Sequence, residues 1–160
     1  MITIERARAE LFRSRWRWLH SPDWDAGGQY RYPGVYLLAY DARELAGKRV
    51  AVDDVYYIGM SNSAGGVRAR LKQFKSALEK GYGHSGGDRC YRRNKQTPFS
   101  QLRSRKRFYF AAWCVPSTSP KASARPLVAC LEYYAIGHVL TRTGKVPPLN
   151  ISAGGILVRA

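Results

Sequence analysis

Apolar residues along this chain fall into two rhythms, and each rhythm names its element. Ile4, Ala7, Leu11 and Trp18 recur at roughly helical spacing, with Arg13 and Arg17 on another side, so residues 3–19 are expected as a helix that Ser21-Pro22 ends. Val67, Leu71, Phe74 and Leu78 repeat in the same way after the capping and glycine-rich loop SNSAGG, with Gly81 as the stop. A third helix is expected from Pro126, which suits a first turn, to about Thr143, with Gly144 beyond its end.

The second rhythm belongs to strands. GVYLLAY (34–40) and VYYIGM (55–60) are rich in β-formers and read as a hairpin whose long polar loop carries a short helical turn around residues 43–47. RFYFAAWCV (107–115) is apolar at both alternations, the pattern of a strand covered on both faces, which requires helices on both sides of the sheet. Residues 81–106 mix glycine, polar and basic positions without a period and are expected as an irregular excursion. The fold class expected is α/β of the α+β type: a small three-stranded antiparallel sheet flanked by helices on both faces. The division expected is a basic N-terminal helix and linker over 1–33, a core domain over 34–150 with 81–106 as a basic insertion, and a tail over 151–160.

Charge changes this picture from a fold to a partner. The 160 residues carry 27 Lys and Arg against 11 Asp and Glu, a net charge of +16 and a pI of about 10.2. Residues 89–160 hold 13 of the basic side chains and one acid, Glu132, so the excess gathers in the second half. A polyanion is the expected partner, because a basic face attracts phosphates and releases their counterions. Arg92, Arg93, Lys95, Arg103, Arg105, Lys106 and Arg107 suit backbone phosphate contacts, which position a nucleic acid without reading its sequence. No membrane partner is expected, since the longest apolar run, Phe108 to Val115, is far short of a span. Cys90, Cys114 and Cys130 are odd in number and widely spaced; a reducing cytoplasm fits them better than a disulfide framework or zinc ribbon.

Glu132 stands out on chemistry alone. Val128, Glu132, Ile136 and Val139 share a helical stripe, which sets a carboxylate on an apolar face, and a lone buried carboxylate is costly unless a cation meets it. Glu132 is also the only acid after Asp88. A single Mg²⁺-like ion held by one carboxylate, waters and a phosphate oxygen fits this supply of ligands, and pairing with a neighbouring arginine is the alternative.

GVY at Gly34 to Tyr36, YIG at Tyr57 to Gly59, Arg70 in VRARLKQF, Glu132 in ACLEYYAI and Asn150 in VPPLN follow one another in an order that resembles the GIY-YIG nuclease family, over residues 34–150. The resemblance implies a metal-dependent endonuclease that hydrolyses phosphodiester bonds in DNA, duplex DNA as partner, and one Mg²⁺ or Mn²⁺ ion at Glu132. It implies that Tyr36 and Tyr57 line the cleft, with Tyr36 taking a proton from the attacking water, that Arg70 stabilises the charge building on phosphorus, and that Asn150 orients the site. Gly59 is expected to let chain or phosphate approach closely. Phe74 stands where many members have a His, and Met60, Ser61 and Asn62 supply no Lys after YIG; His84 is the candidate substitute, while His20 and His138 read as structural. Restriction or mobile-element cleavage is the role favoured, and two copies would be needed to cut both strands at once. The rival expectation is a nucleic-acid-binding protein that keeps the fold without turnover.

Overall fold

The eight-residue apolar run becomes a central strand. The computed structural model describes residues 3–102, 106–116 and 121–150, with the side chains of 121–123 left aside. Its sheet is antiparallel and four-stranded, in the order β1-β4-β2-β3, with β1 at Arg17–Trp18, β2 at Gly34–Asp41, β3 at Tyr57–Ser61 and β4 at Arg107–Cys114. β2 and β4 pair along their whole length, from Gly34↔Cys114 to Asp41↔Arg107, and β3 lies on the other side of β2 with Tyr36 opposite Gly59.

Both faces of this sheet are dry, which is why β2 and β4 lack polar alternation. Val35, Leu37, Ala39, Ile58, Tyr109, Ala111 and Trp113 meet Ala7 and Leu11 of α1 (Ile4–Arg13) and Val128, Leu131, Ala135 and Val139 of α5 (Lys121–Thr143). The opposite face sets Tyr36, Leu38, Tyr57, Phe108 and Phe110 against Val67, Leu71, Phe74 and Leu78 of α2 (Gly66–Lys80), Cys90 of α3 (Ser85–Arg93) and Phe99 of α4 (Phe99–Leu102). Each large side chain enclosed in this way contributes about 1.5–3 kcal/mol through removal from water.

Four expectations are corrected. The sheet has a fourth strand because the first helix stops at Arg13: Ser14 turns extended, its hydroxyl bonds back to the Leu11 carbonyl, and β1 then pairs with Tyr109 and Phe110. Alternating Arg-Trp-Arg-Trp at 15–18 is a strand pattern that buries Trp16 and leaves Trp18 partly exposed, under the Arg107 guanidinium. Residues 3–33 pack on this sheet, with Ala7, Leu11 and Trp16 in its core. The loop 41–54 holds turns and one 3-10 turn at Val52–Asp54 in place of a helical turn at 43–47; Arg43 bridges Asp41 and Asp54 across it.

The third correction concerns 81–106, where α3 and α4 replace an irregular excursion. Gly86 and Gly87 hid the helix in the sequence, yet they are what lets it dock: a Cβ on Gly87 would lie 2.6 Å from the Ala77 Cβ and 3.0 Å from the Phe74 carbonyl oxygen of α2. The fourth is that α5 begins at Lys121, so Pro126 sits inside it and not at its start. α2 and α5 end as expected at Gly81 and Gly144, both left-handed, at φ +78° and +71°. The tail 151–160 lies outside the described residues. No helix among those described is long and apolar enough to cross a membrane.

Gly87→Ala should lift α3 from α2. The expected cost is about 1–3 kcal/mol in chemical denaturation, the range for overpacking a fitted contact, and unchanged stability would contradict this docking.

Candidate active site

The register of β2 against β3 builds the floor of the site. Tyr36 lies opposite Gly59, and Tyr57 shares their face two residues away, so two phenol rings meet over a position with no side chain. Their ring centroids are 6.1 Å apart. A Cβ on Gly59 would lie 2.6 Å from the Tyr36 Oη and 2.7 Å from a Tyr57 ring carbon, so glycine there makes room for these two side chains.

The roof comes from the start of α3. His84 caps that helix, its Nδ1 accepting from the N–H groups of Gly86 and Gly87 at 3.1 and 3.3 Å, while its Nε2 lies 2.8 Å from the Tyr36 Oη. Gly86 packs on the Tyr57 ring, where a Cβ would come within 2.9 Å of Cζ. Phe74 stands edge-on to the imidazole at 5.3 Å. His84, at the start of α3, is thus buried against Tyr36.

Charge in the site is unbalanced. Burial pushes the Tyr36 phenol well above its ordinary value, the Tyr57 hydroxyl and the Glu132 carboxylate add to that, and the Arg70 guanidinium opposes it. Burial likewise raises Glu132, again with Arg70 pulling the other way. His84 is lowered to about 3, by burial first and then by Arg70 and Arg89, against a smaller opposing pull from its own backbone, so its ring is neutral at physiological pH. Tyr36, Tyr57 and His84 are in mutual ring contact, and the charges of Arg70 and Glu132 act on Tyr36 from α2 and α5. Among the described residues Arg70 bonds only to the neutral Gln73 Oε1, at 2.8 Å, and no ion pair or hydrogen bond engages Glu132. No three of His, Cys, Asp or Glu gather to hold a metal among the described residues, so an ion at Glu132 would complete its shell from water and phosphate oxygens.

Asn150 works on the backbone. Its Oδ1 accepts from the Ile58 N–H at 2.8 Å, its Nδ2 donates to the Ile58 carbonyl at 2.7 Å, and Leu149 N–H donates to the Tyr56 carbonyl. The segment after α5 thereby closes the exposed edge of β3 beside Tyr57.

The basic residues divide. Arg92 is paired with Asp88, Arg93, Lys95 and Lys106 are exposed, and Lys106 lies over the Tyr40 ring. Arg107 is paired with Glu44 and sits five residues along β4 from the partner of Tyr36, about 17 Å at strand spacing. Arg103 and Arg105 lie outside the described residues. Two contributors were missed in the sequence: Gly86, whose role exists only once α3 docks, and Arg89, a half-buried side chain whose Nε has no partner and whose charge reaches His84. Arg68, next to the site in sequence, is committed to Asp25.

Compared with models of known protein families, with curated proteins and with solved structures, the chain gives no match.

A raised carboxylate has a stability signature. Because Glu132 binds its proton more tightly folded than unfolded, its ionisation opposes folding above the unfolded value near 4.5, and the penalty is complete once pH exceeds the folded value. Glu132→Gln should therefore melt higher than the parent at pH 7 in chelator and lose that advantage at pH 4. A variant less stable at pH 7 would show the carboxylate to be a satisfied structural group.

Proposed function

We propose that this protein is a GIY-YIG-type endonuclease that hydrolyses DNA phosphodiester bonds with one divalent cation. The observation that carries the reading is a guanidinium and a half-buried carboxylate that both act on the enclosed Tyr36 while neither is met by an ion pair among the described residues. A phosphate with its cation fits that vacancy of charge: the anion meets Arg70 and the cation meets Glu132.

Each residue then has a stated task. Arg70, with two forked N–H donors, holds a non-bridging phosphate oxygen and stabilises the charge that builds there as water attacks in line. Glu132 would hold Mg²⁺ or Mn²⁺, which when bound supplies Lewis-acid stabilisation of the phosphate. Tyr36 starts as a neutral phenol, and the Arg70 guanidinium pulls it toward ionisation. Neutralising the Glu132 charge removes one of the forces holding that proton and moves Tyr36 toward the base role that the resemblance implies. Tyr57 packs beside Tyr36, and Asn150 holds the β3 backbone that carries Tyr57 and Gly59. Arg93, Lys95 and Lys106 remain for non-specific backbone contacts.

A second reading draws on the enclosure of Tyr36. A phenol with no exposed surface and a raised pKa fits a nucleic-acid-binding protein that keeps this fold without turnover.

A plasmid-nicking assay separates the two. The nuclease reading expects nicks that need Mg²⁺ or Mn²⁺, stop in chelator, and fall about 100-fold or more in Arg70→Ala and Glu132→Gln, while Glu132→Gln still binds duplex. Tight binding with no metal-dependent nicks at any pH would favour the second.

A further inference from the structure

The two ring nitrogens of His84 are engaged in opposite senses. Nδ1 accepts from two backbone N–H groups, so it carries its lone pair and no proton. A neutral imidazole then has its hydrogen on Nε2, and Nε2 lies 2.8 Å from the Tyr36 Oη. That oxygen has one hydrogen and two lone pairs, so when Nε2–H fills one lone pair the phenol hydrogen has to point away from α3.

We propose that His84 is a positioning residue which, locked as the Nε2–H tautomer by the first turn of α3, donates to the Tyr36 oxygen and never takes its proton. The kinetic consequence rests on the nuclease reading above, whereas the tautomer does not. A second proton on the ring would set Nδ1–H against two N–H donors and cost both cap bonds. The charged and titratable groups around it act the same way: Arg70 on α2 and Arg89 on α3 disfavour an imidazolium, and Tyr36 on β2, Tyr57 on β3 and Glu132 on α5 form no ion pair with it among the described residues. The donated bond strengthens as negative charge grows on the Tyr36 oxygen, which is where a base would develop it. This chain thus reaches with a helix cap from α3 what a side chain on α2, at Phe74, does not supply.

Two measurements test the proposal. Nitrogen-15 NMR of the imidazole in the intact protein should show an unprotonated Nδ1 and a protonated, slowly exchanging Nε2 from pH 5 to pH 8. A protonated Nδ1, or a doubly protonated ring in that range, would overturn it. His84→Asn keeps a good helix-capping oxygen but is too short to reach Tyr36, so it should fold and bind duplex DNA as the parent does, with KM unchanged and kcat for nicking about tenfold or more lower. Full kcat in His84→Asn would overturn the positioning role. If the wild type does not nick, the nuclease reading fails while the nitrogen spectrum still decides the tautomer, and the same spectrum decides it if the variant fails to fold.

Discussion

The missing side chain at Gly59 is the space around which the site is built. β2 and β3 could pair with any small residue there, but only glycine admits the Tyr36 hydroxyl and the Tyr57 ring edge together, each within 3 Å of where a Cβ would stand. With the rings in that space, the Tyr36 oxygen meets His84 from the start of α3 and feels the charges of Arg70 on α2 and Glu132 on α5. Asn150 then holds the β3 backbone from outside, bonding both polar groups of Ile58.

Electrostatics gives that geometry its chemical direction. Burial alone makes every ionisation in the site costly, so Tyr36 and Glu132 are pushed toward their neutral forms and His84 is held neutral. Arg70 offsets part of this without pairing to either acid. On the proposed nuclease reading, a cation-bound phosphate, which carries both signs of charge, would offset both. The basic side chains remote from it, Arg92 and Arg107, already have acidic neighbours, so the net charge of +16 overstates how many cations are free for a phosphate backbone.

How much of this was legible depended on whether a residue's role is set along the chain or across it. β2, β4, α2 and the body of α5 declared themselves through periodicity and through Gly81 and Gly144, because their burial is local to one element. β1 was hidden because Arg-Trp-Arg-Trp follows directly on a helical stretch, and Ser14 ends that helix by its own turn and not by a glycine or proline. α3 was hidden because Gly86 and Gly87 look like loop residues until Tyr57 and Ala77 come against them. Of the candidate site, Glu132 stood out on its helical stripe and Tyr36, Tyr57, Arg70 and Asn150 through the family resemblance, whereas the neutral state of His84 and the presence of Arg89 depend on packing that no spacing encodes. Gly59 was expected to admit chain or phosphate, whereas the ring contacts from Tyr36 and Tyr57 that require a glycine there arise only across the strands.

Paramagnetic broadening by Mn²⁺ tests the central claim most directly, because it locates the cation without requiring turnover. On titration into the protein with a short duplex present, the account expects signals of Glu132, Arg70 and the His84 imidazole to broaden first, and at lower Mn²⁺ than without the duplex. Broadening confined to the acidic cavity lined by Asp41, Asp53 and Asp54, with the Glu132 region untouched, would contradict it.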